Sequence, residues 1–175
     1  MIFTGKVKGT RLNLQTGFTL IEVMLVIAVI SILAVVAVPK YQVLSDRYHL
    51  ESSAQIVAGR LRYAKQAAMD WRKPVYVGLL NNGVQLFDDS GNPIGDFQTF
   101  DSGITFAAQP GSGLITVPGT SNVGVAFDFR GFVQASGCSS NPDFAACIPL
   151  TSSRSSQSIL VNIGTGTGYV TVGAP

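Results

Sequence analysis

Hydrophobicity along the chain changes its period twice. From Phe18 to Val38 it has no period at all: 21 residues, apolar almost throughout, with Glu22 the only charge. As a helix rising about 1.5 Å per residue this stretch measures roughly 31 Å, close to the hydrocarbon thickness of a bilayer. Leu50, Ala54, Val57, Leu61, Ala64 and Ala68 then recur at spacings of four and three, one stripe of an amphipathic helix, and Glu51, Arg60, Arg62 and Lys65 fall off it. Pro39 lies between the two patterns and predicts a kink or loosening, because it lacks a donor and crowds the preceding turn. The helix is expected to stop by Lys73-Pro74, since the residue before proline avoids the helical region.

From Pro74 the period becomes two. Val75–Leu80 and Val84–Phe87 flank Asn81-Asn82-Gly83 and read as a hairpin around an Asn-Gly turn. Asp88 to Gly95 reads as a polar loop. Further strands are expected at Thr99–Phe106, Val123–Phe129, Gly131–Ala135, Ser158–Ile163 and Gly168–Val172, with a second tight hairpin across Phe127–Val133. The sum is an α+β fold: a long N-terminal helix, transmembrane in its lower half and amphipathic in its upper half, packed on a C-terminal antiparallel sheet.

Charge is informative mainly before the apolar run. Residues 1–17 carry Lys6, Lys8 and Arg11 and no acid, which keeps such an N-terminus cytoplasmic. These are three of the 12 Lys and Arg in the chain; without them nine basic residues face ten acidic ones, net −1, and no global basic field argues for nucleic acid. A cut after Gly17 would leave the apolar segment on the mature chain and create an amino group on Phe18, about 6 Å along a helix from Glu22. Two other readings stay open: an uncleaved signal anchor that tolerates Glu22 near the inner face, and an ordinary signal cut after Ala37, where Val35-Val36-Ala37 supplies the small residues.

Gly17-Phe18-Thr19-Leu20-Ile21-Glu22, followed by an apolar helix and Pro39, resembles the N-terminal signal of type IV prepilins and type II secretion pseudopilins. The resemblance implies cleavage after Gly17 by a prepilin peptidase, N-methylation of Phe18, and an assembly role for Phe18 and Glu22. It divides the chain into a leader (1–17), a transmembrane and filament-core helix (18–38), an amphipathic stem (39–73) and an extracytoplasmic β-rich, pilin-like domain (74–175). It also implies single-pass anchoring in the inner membrane of a bacterial cell, with that domain in the periplasm. The partners it implies are the peptidase, the filament platform protein and other minor pilins or pseudopilins, with no cofactor. A finer similarity, to the GspH/FimT minor pseudopilins, rests on Leu61–Ala68, the basic turn Trp71-Arg72-Lys73, Phe127–Gly131 and Gly168–Val172. The turn Gly164-Thr165-Gly166-Thr167-Gly168 lacks the Arg that many of those proteins place there. This finer similarity implies a minor subunit that initiates or caps a filament; a major pilin is the alternative.

The chemistry expected is assembly. A carboxylate alone in lipid costs about 2.5–3.5 kcal/mol on insertion scales, and pairing Glu22 with the Phe18 amine of a neighbouring subunit offsets the desolvation of both. Ala28, Ser31, Ala34 and Ala37 let helices approach closely. Cys138 and Cys147 are the only cysteines. Outside the cytoplasm a disulfide is their natural reading, with two free thiols as the alternative. Nothing supports catalysis or a metal site: His49 is the sole histidine, on the stem, and the glycine-rich turn lacks the lysine and helix of a phosphate loop. Arg60, Arg62, Lys65, Arg72 and Lys73, with Tyr63 and Trp71 interleaved, form a cluster suited to DNA phosphates in a DNA-uptake pilin, but a solvated helix face is the favoured reading. Mass spectrometry of the protein from its native host should find a chain beginning at Phe18 with one added methyl group; a start at Met1 or Val38 excludes the prepilin reading.

Overall fold

The structure, a computed structural model, describes residues 18–173. The proposed leader lies outside the described residues. Helix α1 runs from Leu20 to Trp71 with Pro39 inside it. It is bent between Val35 and Ala37, where Pro39 crowds the carbonyl four residues back. No single described helix is long and apolar enough to cross a membrane; the stretches on either side of the bend, Leu20–Val35 and Ala37–Trp71, pass that test together, by length and composition. Two compact units divide the chain at Lys40/Tyr41.

The unit from Tyr41 onward contains ten strands: β1 (Val75–Leu80), β2 (Gly83–Phe87), β3 (Pro93–Thr99), β4 (Ile104–Phe106), β5 (Ile115–Thr116), β6 (Val123–Phe127), β7 (Val133–Gln134), β8 (Phe144–Ser152), β9 (Ser158–Gly164) and β10 (Val170–Gly173). They form two antiparallel sheets rather than one, ordered β3-β2-β1-β6-β5 with β7 also on β6, and β10-β9-β8-β4. The fold is α+β and pilin-like, a long helix packed on antiparallel sheet.

All six stripe residues of α1 are buried, joined by Ala58 and Ala67. They share one core with Val75, Val77, Val84, Leu86, Val125 and Phe127 of the first sheet and Ala146, Ile148, Leu150, Val161 and Ile163 of the second. Five of the eight helix residues are alanine, which lets the helix lie close to strands lined with β-branched side chains. Ser53, fully buried beside this stripe, accepts a hydrogen bond from the Asp101 amide at 3.1 Å and ties the helix to the β3–β4 turn. The helix ends with Arg72 at φ 54°, a left-handed conformation that usually falls to glycine, just ahead of Pro74.

Four expectations change in detail. The residues opposite each other at the first hairpin are Leu80 and Gly83, so Asn81-Asn82 makes the turn, and neither has a positive φ. Gly83 is needed for another reason: a side chain there would run into the Gln98 carbonyl and the Phe97 ring. The expected loop 88–95 ends early, because β3 starts at Pro93 on the sheet edge, where proline's missing donor does no harm. The expected strand 99–106 keeps only its last residues as β4; Asp101–Gly103 is a turn with Gly103 at φ 85°. Finally β8, nine residues long and almost wholly buried, runs through a region for which no strand was expected. Pro149 fits within it because β4 pairs only as far as Leu150, leaving no partner for the absent N–H.

Cys138, just after β7, is joined to Cys147 in β8 by a disulfide closing a separation of nine residues. Around it Cys147 donates to the Ser112 carbonyl, Ser139 to Gly111 and Ser136 to Gly113, so the link fastens an irregular stretch to the second sheet. Leu61→Ala should cost about 2–5 kcal/mol of stability by leaving a cavity in the shared core, read as a lowered unfolding midpoint of the detergent-solubilised chain. An exposed control such as Gln66→Ala should stay within about 0.5 kcal/mol.

Candidate functional site

The helix start is set by its own sequence. Thr19 stands immediately before α1, and its hydroxyl accepts a hydrogen bond from the Glu22 amide at 3.2 Å while its carbonyl receives the same amide at 3.1 Å. Thr-x-x-Glu is the capping-box pattern, and an acid in the first turn suits the positive end of the helix dipole. The cap leaves Phe18 just outside the helix, its side chain 84% exposed, and Phe18, Glu22, Val23 and Val26 line one apolar cleft. Phe18 and Glu22 are therefore brought together on a single helix end. Beyond them the large apolar side chains from Leu20 to Val35 stand exposed, 47–78% among those named, an area that water does not tolerate and that lipid or other helices can cover. Ser31 is satisfied inside this stretch by donating to the Ile27 carbonyl at 2.7 Å. Gly17 lies outside the described residues.

The basic cluster read as a DNA contact is divided. Arg60 donates to the Asp96 carbonyl of β3 at 3.0 Å, whereas Lys65 donates to the Thr167 carbonyl at 2.6 Å and Arg62 reaches the Val170 carbonyl of β10 at 3.5 Å. Three of the five cations thus fasten the helix to loops and edges of two different sheets. Arg72 and Lys73 stay exposed at the helix end. Arg60 meets β3 where its register shifts: Gln85, buried on β2, fills the irregularity by donating to the Ile94 and Gly95 carbonyls at 3.1 Å.

Two turns share one design that the sequence repeats as Phe-Asp-x-x-Gly, at Phe87–Gly91 and Phe127–Gly131. In each, the Asp amide donates to the carbonyl four residues on, the glycine amide returns to the Asp carbonyl, and the glycine takes a positive φ (83° and 80°). The carboxylate accepts two amides: Ser90 and Asn92 on Asp88, Arg130 and Phe132 on Asp128, all at 2.7–2.9 Å. Asp88 is held below the ordinary aspartate pKa, first by the Asn92 side chain and then by the Asn92 amide. At Asp128 burial, the largest single influence, pushes upward, but the Phe132 and Arg130 amides and the Arg130 guanidinium together outweigh it and hold it down. Arg130 ion-pairs with Asp128 at 3.2 Å and lies between the Phe129 and Phe132 rings, 5.3 and 5.5 Å from their centres. At the turn itself, a Cβ on Gly131 would stand 3.0 Å from the Met69 sulfur, so this hairpin seats directly on α1.

The chain matches the family described as the prokaryotic N-terminal methylation motif over residues 12–38. Its N-terminal segment carries the prepilin methylation motif. Among curated proteins, it is 48% identical over 56 residues to a type IV major alpha-pilin of Moraxella bovis, covering 32% of this chain and 33% of that protein. It is 38% identical over 61 residues to a fimbrial protein of Pseudomonas aeruginosa (35% and 40%). A type IV major fimbrial protein FimA of Dichelobacter nodosus is 33% identical over 108 residues, 60% of this chain and 62% of that one. The chain thus spans between a third and two fifths of the length of the first two pilins named. No solved structure gives a significant match. The homology is to structural pilins, and the prepilin motif it includes carries Phe18 and Glu22 on the helix end described above.

Because the folded Asp128 carboxyl titrates below its unfolded value, it contributes stability at neutral pH that fades as pH falls through the depressed value. Asp128→Asn should cost about 1 kcal/mol at pH 7, and the gap between wild type and variant should narrow below about pH 4, as followed by thermal unfolding against pH.

Proposed function

We propose that the chain is a subunit of a type IV pilus or type II secretion pseudopilus, held in the inner membrane by residues 18–38 until it enters the filament, with residues 74–175 outside the cytoplasm. The observation carrying this is the helix end at Thr19–Glu22: one carboxylate in the first turn of an exposed apolar helix, beside the residue that becomes the N-terminus. In the mature chain the Phe18 amine and Glu22 carboxylate pair across subunits, because each is costly alone in a low-dielectric core. Prepilin peptidase supplies the amine by cutting after Gly17 and methylates it; the platform protein and other pilins are the partners in assembly.

Within that reading the chain is a minor, GspH/FimT-type subunit that starts or caps the filament. The major-pilin reading is favoured by the curated relatives, which are themselves major pilins. Copy number per filament separates the two. A DNA-binding role has less support, because Arg60, Arg62 and Lys65 spend their donors on backbone carbonyls of the same chain.

Glu22→Val should leave membrane insertion and cleavage intact while removing the chain from sheared filaments by at least tenfold, an effect about 1.4 kcal/mol in size or larger. Normal incorporation of this variant would refute charge pairing as the basis of assembly.

A further inference from the structure

Helix α1 begins at Leu20, so Phe18 and Thr19 stand between it and the Gly17–Phe18 bond, and both are exposed. An apolar run of this kind favours a longer helix, because hydrocarbon offers a main-chain amide no other partner. One donor shows what stops it. In a helix reaching Phe18, the Glu22 amide would be bonded to the Phe18 carbonyl, four residues back. It is bonded instead to the Thr19 hydroxyl at 3.2 Å and to the Thr19 carbonyl at 3.1 Å. The Val23 amide donates to the same carbonyl at 3.3 Å, which makes Thr19 the N-cap. The next residue of capping type upstream is Thr16, on the far side of the Gly17–Phe18 bond.

We infer, on the prepilin reading, that Thr19 is a positioning residue for leader removal: its cap keeps the Gly17–Phe18 bond out of the helix, where a peptidase can bind it as extended chain. In a helix running back through Gly17, that residue's carbonyl would accept the Ile21 amide. The peptidase has to attack this carbonyl carbon while holding the flanking chain extended, so such a helix must unwind before each cut. Hydrolysis adds one water across the amide, leaving a carboxylate on Gly17 of the leader and an amine on Phe18 of the mature chain. Thr19 takes no part in that bond exchange; it sets how often the bond is presented in a form that reacts. Gly17, a poor helix former, works in the same direction. Without the cap at Thr19, a helix capped at Thr16 would enclose the bond. One threonine thus fixes where the membrane helix starts and where the chain is open to cutting.

The test follows the initial rate at which purified prepilin peptidase removes the leader from full-length chain in detergent, read by mass spectrometry. Thr19→Val keeps the shape of the side chain and loses its acceptor, and its rate should fall about threefold or more. Thr19→Ser and Thr19→Asn differ in shape but both cap helices, and each should stay within about twofold of wild type. Thr19→Val cut at the wild-type rate overturns the capping role. So does either capping variant proving as slow as Thr19→Val; loss with Thr19→Asn alone would mean that the enzyme touches the hydroxyl directly. Those results leave the prepilin reading intact, whereas wild-type chain that the enzyme does not cut after Gly17 overturns both.

Discussion

The buried face of α1 between Leu50 and Ala68 is the constraint on which the rest of the outer unit depends. Two small antiparallel sheets, neither wider than six strands, each present one apolar face. Both faces meet in a single core that contains this helical stripe. A short strand pair is marginal alone, so β5 and β7, two residues each, persist because the core behind them is already assembled. The alanines at 54, 58, 64, 67 and 68 set how closely the helix lies, and a larger side chain at any of them would push the helix from both sheets at once.

With charged residues only 13% of the chain, most charges that have partners are used for internal fastening. Arg60, Arg62 and Lys65 donate to main-chain carbonyls at the margins of the sheets, places where the ladder leaves acceptors open. Asp88 and Asp128 collect main-chain amides inside tight turns. His49 and Asp101 approach within 3.5 Å and add to the Ser53 tie between helix and turn. This economy explains why the stem looks like a ligand surface in sequence and behaves as a seam in the structure.

The stripe between Leu50 and Ala68 and the apolar stretch from Leu20 to Val35 make opposite demands. The upper stripe is satisfied within the chain; the lower apolar surface is satisfied only by something outside it. Thr19 and Glu22 settle the local conformation of the lower end by capping, which needs no partner.

Periodicity alone located α1, its buried stripe, its end before Pro74 and the two hairpins at Val75–Phe87 and Phe127–Val133, because each depends on neighbours within a few residues. The Phe-Asp-x-x-Gly turns were legible in the same way, and their repetition was the signal for β3 that the polar loop reading passed over. The capping of Thr19 could be read from Thr-x-x-Glu. Strand β8 could not, since Pro149 is excluded from a central strand unless its neighbour ends at Leu150, and that depends on where β4 stops, 44 residues earlier. Nor could sequence reveal that Gly83 serves close packing rather than a turn, or that three basic residues of the stem are occupied by carbonyls as many as 108 positions away. Local conformation follows from short-range sterics and hydrogen bonds; which groups end up satisfied is decided only when distant segments meet, because desolvation is a property of the assembled core.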